Sequence, residues 1–345
     1  MSVLSLHRIP SADPADTSGL PQACKDGLDP SRALAVIGKT EGNGCVNDFT
    51  RGMAAAAWQA VFPVPIVAVM SGGTEGVLSP HVVVLTTADD ASAYPCGALV
   101  GAAGRTPRIA PEQLGRRGQA EAVAATLRQL CADARISPGE VEFVLVKCPL
   151  LTGAVIAERP PGVLASSDTY ESMAHSRAAS ALGAAHALSE INEAQLVAGL
   201  AGDLSVYSSV ASASAGVEVD CCEIVVLGHN PAARGPLRAT HAVMRDALDA
   251  ASVQLALERI RGAGGHVVHL FAKAEADPSG SVRGRRHTML TDSDIHDTRH
   301  ARAALGGLLA GLTGEPAIYV SGGAEHQGPP GGGPVTIIWE LPKPI

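Results

Sequence analysis

Short runs of apolar, β-branched residues alternate along this chain with longer Ala-rich stretches, the pattern of buried strands interleaved with helices. Three of the runs end in a lysine: Leu34 to Lys39, Phe143 to Lys147 and Val267 to Lys273. Each reads as a strand whose end reaches a surface or cleft, because a charge directly after a buried strand costs desolvation unless it is paired or used. Downstream of each lysine an arginine stands beside a helix-prone segment, namely Arg51, Arg177 and Arg302. Arg299 competes in the third copy, but the shared Arg-Ala-Ala texture favours Arg302. Another apolar run then closes on a serine followed by a very small residue: Ser71-Gly72, Ser212-Ala213 and Ser321-Gly322.

The order Lys, Arg, Ser-small thus recurs three times, which predicts three repeats over residues 1–103, 104–236 and 237–345. Gly97 to Pro107 reads as a linker or edge strand, and Gly228 to Pro236 as a loop from its Gly, Pro and Asn content. Gln119 to Ala134 is helical in pattern. Met53 to Met70, the most apolar stretch, is broken by Gln59, Pro63 and Pro65, so it reads as helix, turn and strand instead of a membrane span.

A chain of 345 residues with 46% hydrophobic and 17% charged residues has ample material for an α/β core. Its net charge of −8 argues against nucleic acid or an anionic membrane surface as partner. The first residues hold no continuous apolar core, so a cytoplasmic protein is expected. Seven cysteines without a CxxC fit reduced thiols better than a disulfide framework or zinc ribbon.

A serine hydroxyl is a poor nucleophile until a base takes its proton, and a lysine does so only when neutral. Lysines and arginines converging on one axis disfavour ionisation of at least one lysine. Glycine or alanine after each serine lets a backbone N–H approach a ligand carbonyl as an oxyanion donor. Three such sets suit a small ring bearing three carbonyls, one amide of which is opened by serine attack or by serine-positioned water. Cys45 and Cys148 read as packing, and His296 with His300 as a solvated helix face. The segment Gly72 to Gly76 lacks the Gly-Lys-Ser/Thr of a phosphate loop.

Seven segments carry a resemblance: Gly38 to Asp48 (GKTEGNGCVND), Met70 to Pro80 (MSGGTEGVLSP), Val146 to Leu151, Asp168 to Met173, Ala211 to Gly216, Arg286 to Leu290 and Ser321 to Gly328. Together they resemble the cyanuric acid hydrolase and barbiturase family from near the N-terminus to about Pro334. The resemblance implies an α/β fold of three homologous domains around a pseudo-threefold axis, barrel-like and shaped like a Toblerone, with the active site on the axis. It implies hydrolysis of cyanuric acid to carboxybiuret, which yields biuret and carbon dioxide, or alternatively of barbituric acid to ureidomalonate. The implied substrate-facing set is Arg51, Ser71, Gly72, Arg177, Ser212, Ala213, Arg302, Ser321 and Gly322, with Lys39, Lys147 and Lys273 beside the serines. Lys147 is the implied base and Ser212 the nucleophile; Thr298, near Arg302, is expected to help tell ring N–H from CH₂. No catalytic cofactor is expected. A structural Mg²⁺ or Ca²⁺ is implied on Glu275, Gln327 and the carbonyls of Ala324, Gly328, Pro329 and Gly332, oxygen donors of the kind hard cations take. The resemblance also implies a homotetramer. The alternative of a different class is a non-catalytic scaffold that binds small rings.

Overall fold

The computed structural model describes residues 2–292 and 294–344. The first third of the chain runs β1 (Ser2–Pro10), α1 (Leu20–Lys25), β2 (Ala33–Thr40), α2 (Phe49–Val61), β3 (Val67–Gly72) and β4 (His81–Asp89). The second third runs β5 (Cys96–Arg108), α3 (Arg117–Ala134), β6 (Val141–Cys148), α4 (Gly153–Ala157), α5 (Thr169–Ala187), α6 (Glu193–Leu200), β7 (Ala211–Ala215) and β8 (Cys221–Arg234). The last third runs β9 (Leu237–Met244), α7 (Ala250–Gly262), β10 (His266–Ala274), the short hairpin β11 (Ser281–Val282) and β12 (Arg285–Arg286), α8 (Asp297–Thr313), β13 (Tyr319–Gly322) and β14 (Gly333–Glu340).

Three four-stranded sheets result, in the orders β1-β4-β2-β3, β5-β8-β6-β7 and β9-β14-β10-β13. In each, the lysine-bearing strand lies parallel to the serine-bearing strand and antiparallel to the last strand of that third. A parallel pair needs a crossover, and α2, α5 and α8 provide it. Each of these helices starts where a side chain accepts an otherwise orphaned N–H: Asp48 from Thr50 at 3.0 Å, Asp168 from Glu171 at 2.7 Å and His296 from Thr298 at 3.3 Å.

Alternation along the strands decides where the core sits, since successive side chains face opposite sides. Ala35 and Ile37 of β2, Phe143 and Leu145 of β6 and Phe271 of β10 meet in one central cluster fed by all three sheets. Phe143 and Phe271 stack there with ring centres 4.6 Å apart. The intervening residues, Val36, Val144 with Val146, and Leu270 with Ala272, face separate outer clusters. Continuing the inward alternation brings Lys39, Lys147 and Lys273 to the rim of the shared core.

Several expectations change. The strands form separate ladders, and no closed barrel is found among the described residues. The segment from Gly228 is not a loop, because β8 continues to Arg234 and pairs with β5 as far as Cys96. Gly228 marks close packing instead of a turn: a Cβ there would stand 2.5 Å from Ile136 Cγ2 and 2.6 Å from the Glu140 carbonyl. The stretch Gly97 to Pro107 lies within edge strand β5, so the second sheet begins at Cys96 and the expected boundary at 103/104 falls inside a strand. Among the described residues no helix is long and apolar enough to cross a membrane.

Candidate active site

Strand register places the chemistry. Across the parallel pairs, Lys39 stands opposite Ser71 and Lys273 opposite Ser321, whereas Lys147 stands opposite Ser214. Ser212 is opposite Leu145, two residues deeper on the same face. A narrow cleft opens at the strand ends, lined by Ser71, Ser214 and Ser321, by Gly72, Ala215 and Gly322, and by the three arginines. Gly44, Met173 and Lys147 complete its lining. Ser212 and Ala213 are therefore replaced at the cleft by Ser214 and Ala215. The Ala213 N–H donates to Gln327 Oε1 at 2.6 Å and its carbonyl accepts from Lys273 at 2.8 Å, which commits its backbone elsewhere.

The three lysines are fully buried but not equivalent. Lys39 Nζ donates to Ser71 Oγ at 3.3 Å and to the Gly72 carbonyl at 3.1 Å. Lys273 Nζ makes the matching bonds to Ser321 Oγ at 3.2 Å and Gly322 at 3.1 Å. Lys147 Nζ instead donates to the Met70 carbonyl at 2.9 Å and pairs with Glu218 Oε1 at 2.7 Å. Burial lowers the pKa of all three, that of Lys273 to about 7. Neighbouring arginines add to the effect, and Glu218 opposes it at Lys147. Desolvation, more than crowding of lysine on lysine, is the main cause.

The arginines are tied by three glutamates that the sequence reading missed. Arg51 of α2 lies 3.6 Å from Glu218 beyond β7, Arg177 of α5 is 2.6 Å from Glu325 beyond β13, and Arg302 of α8 is 2.5 Å from Glu75 beyond β3. Each helix thus sends its guanidinium to the next sheet, and the third closes back on the first. The Arg177 pair is bidentate, with Nε and NH2 donating to both Glu325 oxygens at 2.7 and 2.6 Å. A signal for these residues was present: Ser-x-Gly-x-Glu occurs at Ser71 to Glu75, Ser214 to Glu218 and Ser321 to Glu325. The middle glycine is required in two copies, where Gly73 and Gly323 take φ of +100° and +76° against Arg302 and Arg177.

Thr298 lies beside Gly322, one helical turn before Arg302: a Cβ on Gly322 would be 3.1 Å from its Cβ. Cys148 is buried and donates to the Ser214 carbonyl, and His296 caps α8. Among the described residues no group of three or more His, Cys, Asp or Glu side chains is placed to hold a metal. The cation set implied by resemblance has one carboxylate, Glu275. It accepts from the Gly331 N–H at 3.0 Å and is pushed up to about 7 by burial, with the charge of Glu325 adding. A half-buried carboxylate is an oxygen donor of the kind a hard cation takes, while the Gln327 amide oxygen is occupied by the Ala213 N–H and Glu325 by Arg177.

Hydroxyls beside buried amines, ringed by guanidiniums and small-residue backbone, are equipped for hydrolysis at a compact polar ligand. The sequence profile of the family described as amidohydrolase ring-opening protein matches residues 5–340. A cyanuric acid amidohydrolase of Pseudonocardia dioxanivorans is 57% identical over 99% of both chains, and one of a Rhodococcus species is 51% identical over 99% of this chain and 97% of its own. A solved cyanuric acid hydrolase, described as an evolutionary innovation by structural concatenation, superposes with a TM-score of 0.93 at 44% identity, covering 99% of this chain and all of the other. The chain belongs to this family of ring-opening amidohydrolases, hydrolases that act on the C–N bonds of cyclic amides.

Proposed function

We propose that the protein hydrolyses cyanuric acid, opening the ring to carboxybiuret through a Ser–Lys dyad formed by Lys147 and Ser214. The observation that carries this is the convergence of three register-matched serines and three arginines on one cleft. A ring with three equivalent carbonyls matches three equivalent sets of hydroxyl and backbone donors. Selectivity for one bond needs an inequality between the sets. The second sheet provides it: Ala215 replaces glycine, Glu218 holds the lysine, and Lys147 is the lysine that lines the cleft.

In this mechanism neutral Lys147 takes the Ser214 proton while Oγ attacks a ring carbonyl. The guanidiniums and backbone N–H groups at the small residues stabilise the oxyanion. The C–N bond breaks, and the lysine ammonium returns the proton to the departing ring nitrogen. Water, activated by the same lysine, then hydrolyses the acyl-enzyme. Ser71 and Ser321 hold the other two carbonyls, and Thr298 helps read the ring position that differs between cyanuric and barbituric acid.

Three homologous units about a pseudo-threefold axis belong to the same proposal, supported by the shared strand order and the cyclic Arg–Glu exchange. So do a tetrameric assembly and a structural cation on Glu275, Gln327 and the carbonyls of Ala324, Gly328, Pro329 and Gly332; the cation would pin the loop after β13 and supplies no chemical step. The deciding experiment incubates purified protein with each ring and measures biuret and ureidomalonate separately. Biuret is expected. Ureidomalonate alone would reassign the substrate, and tight binding with neither product would leave a scaffold.

A further inference from the structure

The residue two before each cleft serine faces the same way as that serine, so the three positions beneath the site are Val69, Ser212 and Tyr319. The repeat is broken here, and Tyr319 breaks it most. Its ring is 1% exposed, packed in the central cluster with its centre 5.6 Å from that of Phe271. Its hydroxyl reaches towards Ser71, Ser214 and Ser321, yet among the described residues it makes no well-formed hydrogen bond. A buried phenol O–H without a partner is costly, so it is held for a partner that engages during function.

The three serines do not compete equally for it. Ser71 and Ser321 already receive an N–H from Lys39 and Lys273. The Ser214 hydroxyl is buried and has no partner among the described residues, and its lysine is drawn away towards Glu218. A phenol has one proton to donate. The geometry points to Tyr319 as the positioning residue of the second dyad: its hydroxyl donates to Ser214 Oγ, which turns the serine proton towards Lys147. When Oγ bonds to the ring carbonyl, the serine proton passes to Lys147 Nζ and the phenol keeps its own, steadying the oxygen as charge develops. One tyrosine in a threefold set thereby singles out one serine. This inference rests on the Lys147–Ser214 reading given above.

The test is Tyr319→Phe, which keeps the ring and removes the hydroxyl. The groups facing Lys147 are Glu218, Arg51 and Cys148, and the charge acting on the phenol is that of Arg51. A bond from the phenol favours the Lys147 form that accepts a proton, so its loss moves the acid limb of the rate profile to higher pH. The expected result is a kcat lowered by up to about 10²-fold, the lower end of a general-base contribution, with KM changed little, together with that upward shift. Incorporating 3-fluorotyrosine at 319, a stronger donor of the same shape, moves the limb to lower pH. A purely packing role would change the melting temperature and leave the limb in place in both variants, which overturns the inference. Ser214→Ala is assayed beside them. If it retains turnover, the Ser–Lys reading fails and the role of Tyr319 with it; if it is inactive while Tyr319→Phe matches the unaltered enzyme in kcat and pH profile, the tyrosine inference alone is overturned.

Discussion

Lys147 Nζ and Glu218 Oε1 lie 2.7 Å apart, and among the described residues neither Lys39 nor Lys273 has a carboxylate within 4.0 Å. Burial pulls Lys147 towards the neutral amine while Glu218 pulls it back towards the ammonium. The carboxylate itself is held below its usual range by Lys147 and Arg51, against the effect of its burial.

Glu218→Gln therefore removes the stabiliser of the charged lysine. The pKa of Lys147 falls further, and the acid limb of kcat/KM moves down by about one unit or more, as expected for loss of an adjacent opposite charge. A limb that stays put or moves up would exclude Lys147 as the base.

Ser214→Ala and Ser212→Ala separate two hydroxyls on the same face of β7. Loss of the nucleophile lowers kcat by on the order of 10³-fold or more, as in other hydrolases where it is removed. Ser212→Ala removes no reacting group and so costs less than the roughly 10²-fold at which general acid–base contributions begin. Equal losses in the two variants, measured as steady-state rates, would contradict the register argument.

Glu325→Gln leaves the Arg177 guanidinium, 9% exposed, without its bidentate partner. Stability should drop by about 3–5 kcal/mol in chemical denaturation, the cost of a buried charge left unpaired. Burial works against the Glu325 charge, but Arg177 prevails and holds the pKa low. The contribution is therefore present above the usual carboxylate pKa and lost as pH falls through the folded value. Asp89→Asn, which breaks the exposed pair with Arg32, should leave the denaturation midpoint unchanged.

Added Mg²⁺ or Ca²⁺ should raise the melting temperature of chelator-treated protein, and Glu275→Ala should abolish the rise. A ligand that binds only the folded state at 100 times its Kd adds about 2.7 kcal/mol. Identical melting curves with chelator and with either cation would remove the proposed site.

The lysines, Ser71 and Ser321 were legible because each sits at a strand end, and the arginines because each lies on an Ala-rich helix, whose local pattern is strong. Ser214 was not, since a slip of two residues along a strand keeps every side chain on the same face, and Ser212-Ala213 has the same texture as Ser214-Ala215. Extending the comparison four residues to the glutamate would have resolved it. Gly228 misled for a different reason: glycine serves a close approach between β8 and the segment before β6 as readily as a turn, and spacing alone does not tell these apart. The Arg–Glu pairs join residues more than 145 positions apart, so the Ser-x-Gly-x-Glu pattern marks the glutamates but not the arginines they meet.

That exchange has a consequence for the molecule's divisibility. Any one sheet with its helices keeps an amine and a hydroxyl but sends its own guanidinium outward and depends on a neighbour for the one beside its serine. A severed third, even if it folded, would lack the guanidinium that stands beside its serine.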